Sequence, residues 1–357
     1  MAIQLGKRSV GDGVPCFIVY EAGPTHNGLE SAKDLVRMAS EAGADAVKFQ
    51  IFDPDRLVAD KQQLFSYDVL VDRATGKTET ISEPLYDILS RRSMSRDDWR
   101  TLKAYSDSLG LAFFSTVGFD DDIDFLTEIG CHSVKIASAD VNHFPLLRYA
   151  AKSGMSIQID TGSATLGEIE AAVETILAEG NDKIIIHHCP SGYPARLESI
   201  NLRVIQTLKA MFSFPIAFSD HTPGWEMDIA AIAMGADLVE KTITHDRTTR
   251  SVEHIFSLEP ADMERFIQAI RELEVAMGNP RRSLSQEELV KRDRIRRSMH
   301  LTRDVKVDEL LDETMFEFRR PGLGIRPDEY QHYLGLRFGH AMKKGAMVTR
   351  ADIGGNA

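Results

Sequence analysis

The stretch KIIIHHCPSGYP (residues 183–194) opens on three consecutive isoleucines and then turns to histidines, a cysteine and a serine–glycine–tyrosine run. Apolar residues at adjacent positions fit a strand covered on both faces, as in a parallel sheet. Seven other short apolar runs end the same way: FIVYEAGPTHNG (17–28), ADAVKFQ (44–50), LAFFST (111–116), SVKIASAD (133–140), MSIQIDTG (155–162), PIAFSDHTPG (215–224) and DLVEKTITHDR (237–247). A closed parallel barrel puts every strand's C-terminal end on one face, where charged residues read as chemistry and the apolar residues behind them as core. The eight runs therefore predict a barrel with an active rim.

The segments between these runs carry helical periodicity. In residues 29–42 (LESAKDLVRMASEA), Leu35, Met38, Ala39 and Ala42 share one face. Strands alternating with such segments predict βαβ units, and eight units before about residue 280 match a (β/α)8 TIM barrel. A doubly wound open sheet is the runner-up, but no GxGxxG follows the first strand. Residues 3–14 predict a hairpin ahead of the barrel, and residues 53–97 form an insertion too long for a turn, expected to be a lid or substrate wall. The predicted boundaries are a barrel domain over 1–279, a charged linker with some helix over 280–296, and a small domain over 297–357 with one helix near 330–341.

The net charge of −12, from 54 acidic and 42 basic residues, argues against a general nucleic-acid or membrane surface. The first ten residues, MAIQLGKRSV, have no apolar core of a secretory signal. Cys16, Cys131 and Cys189 are scattered without CxxC spacing, which predicts neither a zinc site nor a disulfide framework. The expected location is the cytoplasm.

EAGPTHNG, AVKFQ, VKIASAD, HHCPSGYP, FSDHTPG and the LVEK…DR…SLEP stretch occur together, in order, over nearly the whole chain. The ordered set resembles the sialic acid synthase family, which makes N-acetylneuraminate, legionaminate and pseudaminate. The tail, RRSMHLTRDV…RRPGLGI, is similar to the antifreeze-like SAF (β-clip) domain that ends those enzymes. The resemblance implies a transferase joining phosphoenolpyruvate, water and an open-chain N-acyl-hexosamine into a nine-carbon keto sugar acid plus phosphate. It further implies a domain-swapped homodimer and a divalent metal, Mn²⁺ with Mg²⁺ or Co²⁺ as alternatives. Fold and family do not fix the sugar, whether N-acetylmannosamine or a diacetamido-hexose.

Phosphoenolpyruvate is a trianion, so two lysines converging on it make chemical sense. Lys48 ends the second strand and Lys135 lies in the fourth, both among apolar neighbours where a bare charge is costly. Thr116, Ser138 and Ser219 are strand-end hydroxyls able to donate to phosphate oxygens. By resemblance these five bind phosphoenolpyruvate, while Ser191 and Tyr193 lie against substrate. Glu21 ends the first strand and is the expected base for the attacking water, if burial raises its pKa. Arg320 matches an arginine that reaches from the partner subunit's tail to the sugar's N-acyl group.

His221 matches one metal ligand. The second matching position holds Thr242, a poor ligand, which leaves His245 (provided the strand bends), His254 in the next segment, or water as the expected substitute. Asp160 stands where the family commonly has a serine, an unfavourable place for a carboxylate unless a lysine neutralises it or it faces the sugar. Two alternatives stay open from sequence: a pyruvate-dependent Schiff-base aldolase acting through Lys135, and a metal-free sugar-binding relative.

Overall fold

Runs that are apolar at every position bury both faces of a strand, and here they build the inner wall of a barrel. In the computed structural model, which describes residues 1–354, two short strands, β1 (Ala2–Leu5) and β2 (Arg8–Gly11), first form an antiparallel hairpin. β3 (Phe17–Glu21) and β4 (Ala46–Gln50) begin the barrel. A second hairpin, β5 (Leu64–Asp72) with β6 (Lys77–Pro84), occupies the insertion. The barrel continues through β7 (Ala112–Val117), β8 (Ser133–Ile136), β9 (Ser156–Asp160), β10 (Ile184–His188), β11 (Ile216–Asp220) and β12 (Leu238–Thr242). All eight barrel strands pair in parallel, and β12 closes on β3. Each of the eight quoted runs contains one barrel strand, so the (β/α)8 fold is the observed one.

The two-residue alternation divides the barrel's side chains into layers. Ile18, Tyr20, Val47, Phe49, Ile136 and Ile186 point outward and pack with the helices. Phe17, Val19, Ala46, Phe114, Ile185, Ala217 and Leu238 point inward and fill the N-terminal half, plugged by Ile3, Leu5 and Val10 of the first hairpin. Burying each large apolar side chain stabilises the fold by about 1.5–3 kcal/mol. Toward the C-terminal end the inward positions turn polar, which is why the chemistry collects there.

Helices fill the segments between and after the barrel strands, as their helical periodicity predicts: Leu29–Ala42, Arg96–Ser108, Asp120–Glu128, Phe144–Lys152, Leu166–Leu177, Val204–Met211, Glu226–Ala233 and Pro260–Met277. The chain divides into two compact units, Met1–Gly278 and Asn279–Ala357. The second holds a helix, Gln286–Ile295, and an antiparallel pair, β13 (Ser298–Leu301) with β14 (Phe316–Arg319). Its core gathers Met299, Leu301, Val305, Leu311, Ile325, Phe338 and Val348. The helix expected near 330–341 is reduced to a 3₁₀ turn, Tyr330–Tyr333. Gly335, at φ 77°, breaks it, and the following backbone bridges Leu310 to Arg337 and Phe338 to Ile353 instead. Among the described residues no helix is long and apolar enough to cross a membrane.

Candidate active site

A cavity of about 460 Å³ opens at the C-terminal end of the barrel, lined by Glu21, Lys48, Thr116, Ser138, Asp160, Tyr193 and His221 among others. Strand register explains the convergence: Glu21 lies opposite Lys48 on β4 and Thr242 on β12, Ser219 opposite Glu240, and His187 opposite Asp160. Two glycines let the backbone close around these groups. A Cβ on Gly23 would sit 2.5 Å from Glu21 Oε1, the oxygen that accepts the Gly23 N–H. A Cβ on Gly162 would sit 2.7 Å from Ser138 Oγ, which accepts the Gly162 N–H at 2.9 Å.

The two lysines are not free. Lys48 Nζ is ion-paired with Glu21 and lies 3.4 Å from Glu240. Lys135 Nζ donates to both oxygens of Glu240 at 2.8 Å and to Ser219 Oγ at 3.0 Å, with Asp160 Oδ1 also at 3.0 Å. Lys135 and Ser219 are buried beneath the cavity, with Asp160 and Glu240 above them as its floor. The condition set by sequence for Asp160, a neutralising lysine, is thus met.

Burial pushes the Glu21 carboxyl upward, against the pull of Lys48. Burial also opposes ionisation of Glu240, but Lys135 and Lys48 outweigh it and hold that carboxyl below its usual range. Burial would lower Lys48, yet Glu21 and Glu240 raise it and keep it an ammonium. His187 is pushed down to about 3 by burial and by Lys135, so it is a neutral ring bridging Gln158 at 2.9 Å and Ser219 at 3.0 Å.

His221 faces the cavity with its ring 4.8 Å from that of Tyr193. Its Nδ1 lies 3.2 Å from the Pro190 carbonyl, leaving Nε2 available, and burial lowers its pKa, as a neutral ligand requires. His245 does not join it. Ile243 N–H donates to Glu21 O at 3.0 Å and Thr244 N–H to Leu258 O at 2.9 Å, so extended pairing continues past β12 without the required bend. His245 is consequently exposed and borders a separate cavity of about 380 Å³, together with His26 and His254. Among the described residues no group of three or more His, Cys, Asp or Glu side chains is arranged to hold a metal. The donor set therefore does not fit a two-imidazole centre.

Ser191 is exposed and hydrogen-bonded to Ser163 at 2.8 Å rather than lining the cavity. Arg320 is exposed at the end of β14, beside Arg319, which is engaged with Glu317 at 2.7 Å. Among the residues that sequence reasoning passed over, the charged Glu240, Arg92 and Glu253 border the cavity. The inward alternation of β12, with Glu240 two residues before Thr242, was a usable signal for the first. Arg92 and Glu253 come from irregular segments and had none. Glu253 stands in the left-handed region at φ 72° and accepts from the Thr242 hydroxyl at 3.4 Å. Burial and Glu21 push its carboxyl up to about 7.

Residues 35–282 match the NeuB family. The chain is 35% identical over 354 residues to the N,N'-diacetyllegionaminic acid synthase of Legionella pneumophila, covering 98% of this chain and 97% of the relative. To the N-acetylneuraminate-9-phosphate synthase of Homo sapiens it is 32% identical, covering 82% of this chain and 79% of that one. The crystal structure of N-acetylneuraminic acid synthetase from Leptospira borgpetersenii, in complex with citrate, superposes with a TM-score of 0.71 at 29% identity, over 82% of this chain and 95% of that one. With its closed parallel barrel and this extent of matching sequence, the chain belongs to the NeuB family.

Proposed function

We propose that the protein is a phosphoenolpyruvate-dependent nonulosonic acid synthase, condensing that substrate with an open-chain N-acyl-hexosamine and water. The observation that carries the proposal is the pair Lys48 and Lys135, two cations meeting at Glu240 on the floor of the rim cavity. Buried lysines held in place before substrate arrives are preorganised for an anionic ligand. Thr116 and Ser138 add hydroxyls from the cavity wall, and Ser219 adds one from below.

In the proposed reaction the methylene carbon of phosphoenolpyruvate attacks the aldehyde carbon, and the aldehyde oxygen takes up a proton from solvent. Positive charge left on the phosphate-bearing carbon is quenched by a water whose proton passes to Glu21. Its raised pKa and its place on the cavity wall support that role. The tetrahedral product then expels phosphate by carbon–oxygen cleavage, its hydroxyl proton leaving with the phosphate, and becomes an α-keto acid. Arg320 of a swapped partner subunit is the proposed contact to the acyl group, and a reducing cytoplasm suits the three buried free thiols. Among the described residues His221 alone supplies an imidazole to the cavity, so the proposed chemistry falls to the chain's own carboxylates, lysines and hydroxyls.

The Schiff-base aldolase alternative needs an amine presented to a carbonyl carbon in the cavity. Lys135 Nζ is instead held within 3.0 Å of Asp160, Glu240 and Ser219, beneath the cavity rather than in its lining. Phosphate release from phosphoenolpyruvate, measured across acetamido and diacetamido hexoses with and without Mn²⁺, tests the proposal. Release that requires a sugar is the expected result, whereas a borohydride-trapped pyruvate adduct on Lys135 would overturn it.

A further inference from the structure

The outer part of the cavity differs in character from its floor. Phe65, Leu85, Ile88, Leu89 and Val252 give it an apolar wall, contributed mainly by the insertion between β4 and β7. Set in that wall is Arg92, only 6% exposed. Its Nε donates to the Ile88 carbonyl at 3.4 Å, which fixes the fork. Arg92 borders this cavity and also the neighbouring one that holds His26 and His254, and among the described residues no carboxylate lies within 4.0 Å of it, so its buried guanidinium has no ion-pair partner. Glu253 faces the same space from beyond ion-pair distance, tied back by Thr242.

A buried cation without a partner is costly unless a ligand completes its hydrogen bonds. Between a fixed donor and a fixed carboxylate, the complementary neutral group offers both an acceptor and a donor. An amide does so: its carbonyl accepts from Arg92 and its N–H donates to Glu253, while its methyl group lies on the apolar wall. A hydroxyl-rich sugar tail set against that wall would give up water without replacement.

We infer that Arg92 is a specificity-determining residue that reads a second acylamino group, so that the acceptor is a deoxygenated diacylamino-hexose rather than a singly acylated one. The inference rests on the synthase reading and refines its acceptor. The acyl group assigned to the partner's tail is the first; Arg92 takes the other.

The test compares a diacetamido-trideoxyhexose with N-acetylmannosamine, for the wild type and for Arg92→Leu and Arg92→Lys. Turnover is read as kcat/KM and binding by calorimetry. The wild type should favour the diacetamido sugar in both. Arg92→Leu should lose about ten- to a hundredfold on that sugar, the worth of one charge-assisted hydrogen bond, and about twofold or less on N-acetylmannosamine. Arg92→Lys, with charge but no fork, should fall between them, which guards against a folding defect in the leucine variant. Equal losses on both sugars, or a wild type that prefers N-acetylmannosamine, would overturn the inference. Selective binding of the diacetamido sugar without phosphate release would support the role of Arg92 and sink the synthase reading instead.

Discussion

Lys135 Nζ lies 3.0 Å from Asp160 Oδ1 and 2.8 Å from both oxygens of Glu240, so one fully buried ammonium is shared between two carboxylates. A trianion arriving above them competes with both for the same charge. Asp160 is the more accessible of the two carboxylates, its side chain 13% exposed against 5% for Glu240.

Asp160→Ser should therefore strengthen phosphoenolpyruvate binding. Removing one unit charge a few ångströms away, at the effective dielectric of a half-wet site, is worth on the order of 1 kcal/mol, or about fivefold in KM. Steady-state kinetics at saturating acceptor reads the effect. A higher KM in the variant would show that Asp160 holds substrate instead of repelling it.

The same geometry makes Lys135 a stability residue. Lys135→Met leaves Glu240 and Asp160 without their shared cation, and breaking a buried pair costs about 3–5 kcal/mol. Adding Glu240→Gln to that variant removes one of the orphaned charges and should return part of the loss, a non-additivity of about 0.5–3 kcal/mol in denaturant unfolding. Strict additivity of the two single effects would contradict the shared-ammonium description.

Most of the barrel was legible because both of its periodicities are short and local. A run such as Ile184–His188 shows in five residues that it is covered on both sides and where it meets the rim. The lysines, Glu21 and His221 were legible for the same reason, since a strand tip carries its neighbours with it. The hairpin β5–β6 was not read as one: Phe65, Tyr67 and Val69 do alternate with Ser66 and Asp68, but the partner strand KTETISEP is mainly polar and exposed, so no matching second run marks the pair. Arg92 and Glu253 reach the cavity only through tertiary folding of two loops, and no spacing announces that. His245 misled because its placement depended on a bend that backbone pairing at Ile243 and Thr244 prevents.

Glu253 provides a pH signature. Its folded-state carboxyl is raised from 4.5 to about 7, chiefly by burial and next by Glu21. A raised carboxyl contributes stability that is fully present below the unfolded pKa and is lost as pH climbs through the folded one. Glu253→Gln should therefore gain on the wild type between pH 5 and pH 8, by a few degrees in Tm. A difference in Tm that stays constant across that range would place the titration elsewhere.

Thr242 offers a gain-of-function test. It is buried on β12 opposite Glu21, with its hydroxyl on Glu253. Thr242→His restores a second imidazole beside the cavity and should tighten Mn²⁺ binding, measured by calorimetry, by about tenfold or more. Unchanged affinity would mean that this position does not share a site with His221.

The most direct test of the central proposal follows the bridging oxygen of phosphoenolpyruvate. With that atom labelled as oxygen-18 and a diacetamido-hexose as acceptor, carbon–oxygen cleavage sends the label into the released phosphate, as mass spectrometry will read. Label retained at the keto carbon of the sugar acid, or phosphate released with no sugar acid formed, would contradict it.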